Sequence, residues 1–402
     1  MPGPLDGIKI IDLTSMISGP LTTMILADQG ADVIKIENPA GGDFTRSASN
    51  RRHGFSASFL NNNRNKKSVT INLKTEKGIK LLKKLIADAD VFIQNFRPGV
   101  IERMGLGEKT VREVAPDIIY VSISGFGQEG PYAGKPVYDP LVQALSGLTT
   151  IQGGSDEFRP RLVRTILPDK LTGFTCAQAI TSALFCRERT GQGQHIRLSM
   201  LDSVISFLWS SDMGSQTFVG GEFAQEKAQS FIDLIYETSD GYISVAVQSD
   251  KEWQGLTRAL DQPGWLEDSR FMTPALRQDN IDDRLDLTQQ VLRNRTSKEW
   301  LKRLENEDVP CAPVLRRRDI ISHPQISANK TIMELEHDHA GMLRQARPAA
   351  LFSQTYQDKH TGAPYLGEHN KEILAKADLS NEEICQLRAD GVIGESKLGV
   401  KE

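Results

Sequence analysis

Hydrophobic residues in the first third of the chain fall in short, nearly continuous blocks, and these blocks alternate with stretches of helical spacing. Ile8-Lys9-Ile10-Ile11-Asp12-Leu13 predicts a strand. After the loop Thr14 to Gly19, Pro20 predicts a helix start running through Leu26, because proline is tolerated where the first helical N–H has no partner. Gly30 ends that helix, and Asp32 to Glu37 predicts a second strand. The alternation continues with a strand at Val69 to Leu73, a helix near Glu76 to Ala87, and strands at Val91 to Gln94 and Asp117 to Ile123. Continuous apolar strands joined by helices suit a parallel sheet covered on both faces. The expectation is an open, doubly wound, Rossmann-like α/β domain.

A long helix is predicted from Leu171 to Arg187, then a strand His195 to Ser199 and a helix Met200 to Trp209. Ser210 to Ser230 is rich in Ser, Gly and Gln and reads as a linker. Beyond it, Phe231 to Thr238 and Tyr242 to Val247 flank Ser239-Asp240-Gly241, a hairpin signal. Three helix patterns follow, near Lys251 to Leu260, Asp282 to Arg293 and Ser297 to Glu305. The expected organisation is a large α/β domain beginning in residues 1–210, a linker at 211–230, a smaller α+β domain at 231–325, and a return segment, 326–402, completing the large domain.

Charge and composition narrow the function. In 402 residues, 48 Lys and Arg stand against 52 Asp and Glu, for a net charge of -4, with no basic block. Nucleic acid and acidic membrane surfaces are therefore poor partners. No apolar run reaches the length of a membrane span, and the first residues lack a basic region followed by an apolar one, so a soluble, cytoplasmic protein is expected. Cys176, Cys186, Cys311 and Cys385 are scattered without a CxxC pair, which argues for reduced thiols rather than a zinc module or disulfide frame. The seven histidines show no metal-ligand spacing, and no metal is expected.

In open α/β sheets, ligands gather beyond the carboxyl ends of the strands. The loops Thr14 to Pro20, Gln94 to Gly99 and Ser124 to Pro131 fall there. Glu37, ending the second strand, invites a ribose contact, but Gly19-Pro20 lacks the three glycines of a dinucleotide fingerprint. The cluster Asn61-Asn62-Asn63-Arg64-Asn65-Lys66-Lys67-Ser68 reads as a solvated turn or, beside Arg97 and Arg103, as a cationic patch for phosphates. Arg46, Arg161 and Arg164 are surface residues or partners for a second substrate carboxylate. Asp169, before the long helix, reads locally as its N-cap. It also has the chemistry of a carboxylate nucleophile, given a cleft and nearby N–H groups.

An ordered series of short segments resembles the class III (CaiB/BaiF type) CoA-transferase family, which includes formyl-CoA and carnitine CoA-transferases and α-methylacyl-CoA racemases. The series includes Ser18-Gly19-Pro20, Gly30 to Glu37, Asn65-Lys66-Lys67-Ser68, Asn95 to Gly99, Gly125 to Pro131, Asp169, Thr190 to Gln194, Met200-Leu201-Asp202 and Ala363 to His369. The resemblance implies an acyl-CoA:carboxylate CoA-transferase in which Asp169 is the catalytic carboxylate, working through mixed-anhydride and aspartyl-CoA thioester intermediates. It implies CoA contacts at Ile17 and Ser18, at Asn72, Leu73 and Lys74, and at Asn95, Phe96, Arg97, Arg103 and Met104, with Tyr138 and Met200 near the nucleotide or pantetheine. It further implies an interlocked homodimer and no permanently bound cofactor, the CoA thioester being substrate. The formyl-CoA transferases carry Gln where Ile17 stands, and a glycine-rich flap where this chain has Gln229-Ser230-Phe231-Ile232, so formyl-CoA is not the expected substrate. The alternatives are a racemase and a catalytically silent acyl-CoA-binding protein. The racemases' Gly-His-Asp is replaced by Val137-Tyr138-Asp139, which removes a base poised near neutral pH, and the presence of Asp169 argues against a silent protein.

Overall fold

The first apolar block forms β1 (Lys9–Asp12), which leads into α1 (Ser18–Asp28) and β2 (Asp32–Glu37). A small hairpin of β3 (Arg51–Arg52) and β4 (Phe55–Ser56) precedes α2 (Ala57–Asn63), β5 (Lys66–Thr70) and α3 (Glu76–Ile86). Then come β6 (Val91–Gln94), the short α4 (Val100–Arg103) and α5 (Glu108–Arg112), and β7 (Ile119–Ser124). The helices α6 (Asp139–Leu145), α7 (Leu148–Gly153) and α8 (Leu167–Thr190) lead to β8 (His195–Ser199) and α9 (Met200–Trp209). This computed structural model describes residues 3–220, 234–355 and 360–396.

The sheet runs β5-β2-β1-β6-β7-β8 with every neighbouring pair parallel. The chain winds outward from β1 to β5, returns to β6 beside β1, and winds outward again. The switch point, where a doubly wound sheet opens a crevice, therefore lies between the carboxyl ends of β1 and β6. Side chains alternate along each strand, so both faces bury apolar surface. Ile11, Ile34, Val69, Phe92 and Tyr120 pack with Leu82 and Leu85 of α3 on one side. Ile10, Val33, Val91, Ile93 and Val121 pack with Leu26 of α1 and Ile180 of α8 on the other.

The contacts divide the chain into two units, residues 1–153, 159–219 and 330–402 in one and 154–158 and 220–329 in the other. The second contains a three-stranded sheet in the order β11 (Cys311–Pro313), β10 (Tyr242–Val245), β9 (Ile235–Glu237). β9 and β10 are joined through the expected Ser239-Asp240-Gly241 turn. Its core holds Trp253, Phe271 and Trp300, and Trp300 Nε1 donates to Leu292 O at 2.8 Å. Part of the expected linker, residues 221–230, the start of the expected hairpin strand, 231–233, and the segment at the glycine-flap position lie outside the described residues.

Two element boundaries differ from expectation for physical reasons. α1 begins at Ser18, not Pro20, since proline is accepted throughout a first turn whose N–H groups lack intrahelical partners. β5 begins at Lys66 and ends at Thr70, earlier than the apolar pattern suggests, because Lys66 and Ser68 are buried against acidic partners.

Candidate active site

The loop after β1 is held from beneath by buried charges. Asp12 Oδ1 accepts from Thr14 N at 2.9 Å and from the Thr14 hydroxyl at 2.5 Å, while Oδ2 accepts from Thr23 Oγ1 at 2.6 Å and Lys66 Nζ at 3.2 Å. Lys35 Nζ donates to Thr14 O at 2.8 Å and pairs with Asp43 Oδ2 at 2.9 Å. Asp43 in turn accepts from Met16 N at 3.3 Å, beside the left-handed turn at Met16, where φ is 73°. Burial opposes ionisation of Asp12, but Lys66, Lys35 and two hydroxyls overcome it and hold the carboxyl below its ordinary range. Lys66 is pulled down to about 8 by burial, with Asp12 opposing and Lys35 adding to the shift.

The basic cluster around residue 64 is therefore neither a solvated turn nor a phosphate patch. Arg64 makes a bidentate pair with Asp28 at 2.8 and 2.6 Å, Lys66 belongs to the Asp12 network, and Lys67 pairs with Asp32 at 2.8 Å. Each cation is neutralised within the chain, and Arg64 and Lys66 are buried. Glu37, in the lining of the cleft at the switch point, has its carboxylate committed within the chain. It is buried in a bidentate pair with Arg46 at 2.7 and 2.8 Å and accepts from Ser68 Oγ at 2.6 Å, which also commits Arg46 internally.

A cleft of about 880 Å³ opens at the switch point. Thr14 and Ser15 line it beside β1, and Asn72, Leu73, Lys74, Phe96, Arg103 and Met104 line it from the following strands and loops. Six of the twelve residues expected to contact CoA thus share one cavity. Lys80 and Lys83, also in its lining, were not anticipated. They sit three apart on α3, a spacing that puts them on one helix face. Among the described residues, Lys74, Lys80, Lys83 and Arg103 have no ion-pair partner within the chain, in contrast to the cluster near residue 64. The loops are cross-braced: Asn95 Nδ2 donates to Ser15 O at 2.8 Å and Ser15 N to Asn95 Oδ1 at 3.0 Å.

The other expected contacts lie outside that lining. Ile17 is half-buried at the start of α1, and Arg97 is exposed. Tyr138 is 68% exposed. Met200 is buried with Val142, Val204 and Leu208.

Asp169 is not an N-cap. Ile166 occupies that position without a side-chain cap, Pro168 stands in the first turn, and Asp169 is the third helical residue of α8. Its carboxylate faces instead the backbone N–H and hydroxyl of Ser18, at the start of α1, which favour its charged form; that helix's own N-cap, Ile17, has no capping side chain. Gly173, one turn beyond Asp169, permits this close approach. A Cβ there would lie 3.0 Å from Leu21 Cδ2 and 3.1 Å from Ser18 O. Thr22 Oγ1 also donates to Gly173 O at 3.2 Å.

A second carboxylate stands behind the first. Buried Asp139 accepts from Asp169 N at 3.4 Å through Oδ2 and from Gln143 Nε2 at 2.6 Å through Oδ1. Gln143 Oε1 accepts from Val163 N at 2.9 Å, tying α6 to the segment entering α8. Burial, then the Asp139 charge, pushes Asp169 up to about 6 against the opposing pull of the Ser18 N–H and hydroxyl. Asp139 is itself raised, chiefly by burial. Gln143 carried only a weak signal in the sequence, its i,i+4 spacing from Asp139. The pair offers an oxygen nucleophile that ionises near neutrality and a helix terminus that favours negative charge.

Among the described residues, no group of three or more His, Cys, Asp or Glu is arranged to hold a metal ion, and no helix is long and apolar enough to cross a membrane. A sequence model described as CoA-transferase family III matches residues 5–370. The human protein named succinyl-CoA:glutarate CoA-transferase is 33% identical over 398 residues, covering 97% of this chain and 90% of that protein. A formyl-CoA:oxalate CoA-transferase of Streptomyces coelicolor is 32% identical over 411 residues, covering 97% of this chain and 99% of its own. The crystal structure of a CAIB/BAIF family protein from Brucella suis superposes with a TM-score of 0.83 at 30% identity, covering 94% of this chain and all of that one.

Proposed function

The chain belongs to CoA-transferase family III and is a class III CoA-transferase, and from that premise we propose that it moves CoA from an acyl-CoA thioester to a free carboxylic acid by covalent catalysis on Asp169. The observation that carries this reading is the Asp169 carboxylate at the start of α1, at the end of the loop whose Thr14 and Ser15 line the switch-point cleft. That cleft's Lys74 and Arg103, without ion-pair partners among the described residues, suit the phosphates of CoA, and Leu73, Phe96 and Met104 suit its nearly neutral arm.

An Asp169 oxygen attacks the thioester carbonyl, the C–S bond breaks, and CoA leaves as thiolate. The resulting mixed anhydride is attacked by that thiolate at the aspartyl carbonyl, releasing the donor acid and leaving an aspartyl-CoA thioester. The acceptor carboxylate attacks this thioester, again forming an anhydride. The thiolate then attacks the acceptor's acyl carbonyl, producing the new acyl-CoA and free Asp169. Each step conserves the activated acyl bond. The Ser18 N–H at the start of α1 supplies positive potential where negative charge develops. Incubation with an acyl-CoA followed by hydroxylamine or borohydride should mark Asp169 alone; modification at another residue would overturn the assignment.

Asp139 supplies a pH-dependent test. The nucleophile acts as the anion, so the rate should rise with pH through about 6, where Asp169 ionises. Asp139→Asn removes a like charge, which lowers the Asp169 pKa and moves the acid limb of kcat/KM to lower pH. An acid limb that stays in place or moves up would exclude Asp139 from control of the nucleophile.

The relatives' printed names carry dicarboxylic acids. Arg161 and Arg164, exposed in the segment entering α8, give a dicarboxylate acceptor two candidate partners once Arg46 is committed to Glu37. We also propose an interlocked homodimer as the working form. Leu141 and Leu145 of α6, Phe174 and Phe185 of α8, and Phe207 and Trp209 of α9 are all 44% exposed or more, a concentration of large apolar side chains that marks an interaction surface. Light scattering at micromolar concentration should give twice the chain mass of 44.6 kDa; the single-chain mass would refute the dimer.

A further inference from the structure

A chain of hydrogen bonds separate from Asp169 crosses three strands and ends on a loop that lines the cleft. His195 Nδ1 lies 2.9 Å from Glu108 Oε2 on α5, and His195 Nε2 lies 2.9 Å from Ser122 Oγ on β7. Gln94 Nε2, at the end of β6, donates to Ser122 Oγ at 3.0 Å, and Gln94 Oε1 accepts from Phe96 N at 2.8 Å. The Phe96 contact fixes the orientation of the Gln94 amide. Its NH2 can only donate, so Ser122 accepts there and gives its own proton to His195 Nε2. His195 then carries its proton on Nδ1 and donates to Glu108. Every group in the chain is satisfied only with His195 as this neutral tautomer.

The same ring also reaches the far end of the segment. It packs edge-on against Tyr120 at 4.8 Å, and Tyr120 OH donates to Leu106 O at 2.8 Å. Residues 96–108, which include Phe96, Arg103 and Met104 of the cleft lining, are therefore tied at the start through Gln94 and Ser122 and at the end through Tyr120 and Glu108. Both ties converge on one imidazole.

We propose that His195 is a positioning residue for CoA, holding the segment from Phe96 to Glu108 in its binding conformation through Ser122 and Gln94 on one side and through Glu108 and Tyr120 on the other. This rests on the reading that the cleft takes CoA. Burial lowers His195 below its ordinary pKa, against the pull of Glu108 and with smaller contributions from Arg197 and Arg112, which agrees with a neutral ring.

The test uses two variants of the full chain. Ser122→Ala cuts the link to Gln94 with the imidazole intact, and His195→Phe keeps the ring packing on Tyr120 but removes the hydrogen bonds. Calorimetric titration with CoA should show Kd raised about fivefold in each, a shift of about 1 kcal/mol. KM for acyl-CoA should rise in parallel, with kcat and the acceptor KM within about twofold of wild type. Unchanged Kd in Ser122→Ala, or a kcat loss as large as the rise in Kd, would overturn the proposal. Titration of the wild type separates the two readings. If it binds no CoA, the cleft assignment fails and takes this inference with it; if it binds and the variants bind equally well, only the positioning role fails.

Discussion

Asp169→Ala is expected to lower the transfer rate on the order of 10⁴-fold or more, the scale seen when a covalent nucleophile is removed, while CoA binding stays within about threefold of wild type. The separation follows from the geometry. Lys74, Phe96, Arg103 and Met104 line the cleft, whereas Asp169 stands beside Ser18, with its N–H on Asp139, outside that lining. Loss of turnover together with loss of CoA binding, measured by calorimetry on the same preparation, would mean that the alanine had disturbed the fold. Retained turnover would remove the covalent mechanism altogether. Asp169→Asn, with nearly the same shape, keeps hydrogen-bonding groups facing Ser18 and should be as inactive as the alanine variant, since an amide oxygen is a far poorer nucleophile than a carboxylate.

The largest loss of stability is expected from Asp12→Ala, about 3–5 kcal/mol in denaturant unfolding, because it leaves the buried Lys66 ammonium without its paired carboxylate. Asp12 is fully buried and accepts from Thr14 twice, from Thr23 and from Lys66. Without it, Lys35 and Lys66 face each other with less compensation. Lys66→Met should cost less. Burial already disfavours the Lys66 ammonium, and Asp12 would keep the nearby charge of Lys35 and both hydroxyl donors. The sign on pH agrees. A lysine whose folded pKa lies near 8, below its ordinary value, costs stability while it is protonated, so its contribution improves as pH rises through that value. An Asp12→Ala variant as stable as wild type, or less damaging than Lys66→Met, would show that the network contributes little.

The sequence revealed the layers of the fold more clearly than its charges. The strands at Val91–Gln94 and His195–Ser199 and the helix Met200–Trp209 match the expected bounds, since apolar continuity and helical spacing report directly on burial. The same logic misled at residues 61–73. Arg64, Lys66 and Ser68 look solvent-facing because each alone is polar, yet each is buried with a partner, Asp28, Asp12 or Glu37, that lies at least 31 residues away in the chain. Local rules likewise made Asp169 a cap for its own helix, when its carboxylate meets the start of α1 instead. Pairing across such separations leaves no periodic trace. Lys80 and Lys83 were passed over for the opposite reason: on an amphipathic helix, lysines at the polar boundary read as ordinary surface until a cavity is seen beside them.

Gly173 also limits how this scaffold can be remodelled. With no side chain separating the two backbones, the long helix has nowhere to retreat. Room for a bulkier acyl group would have to come from the opposite wall, by shortening or thinning the segments that follow the central strands. Directed evolution toward larger substrates should accumulate its changes there and leave the glycine untouched.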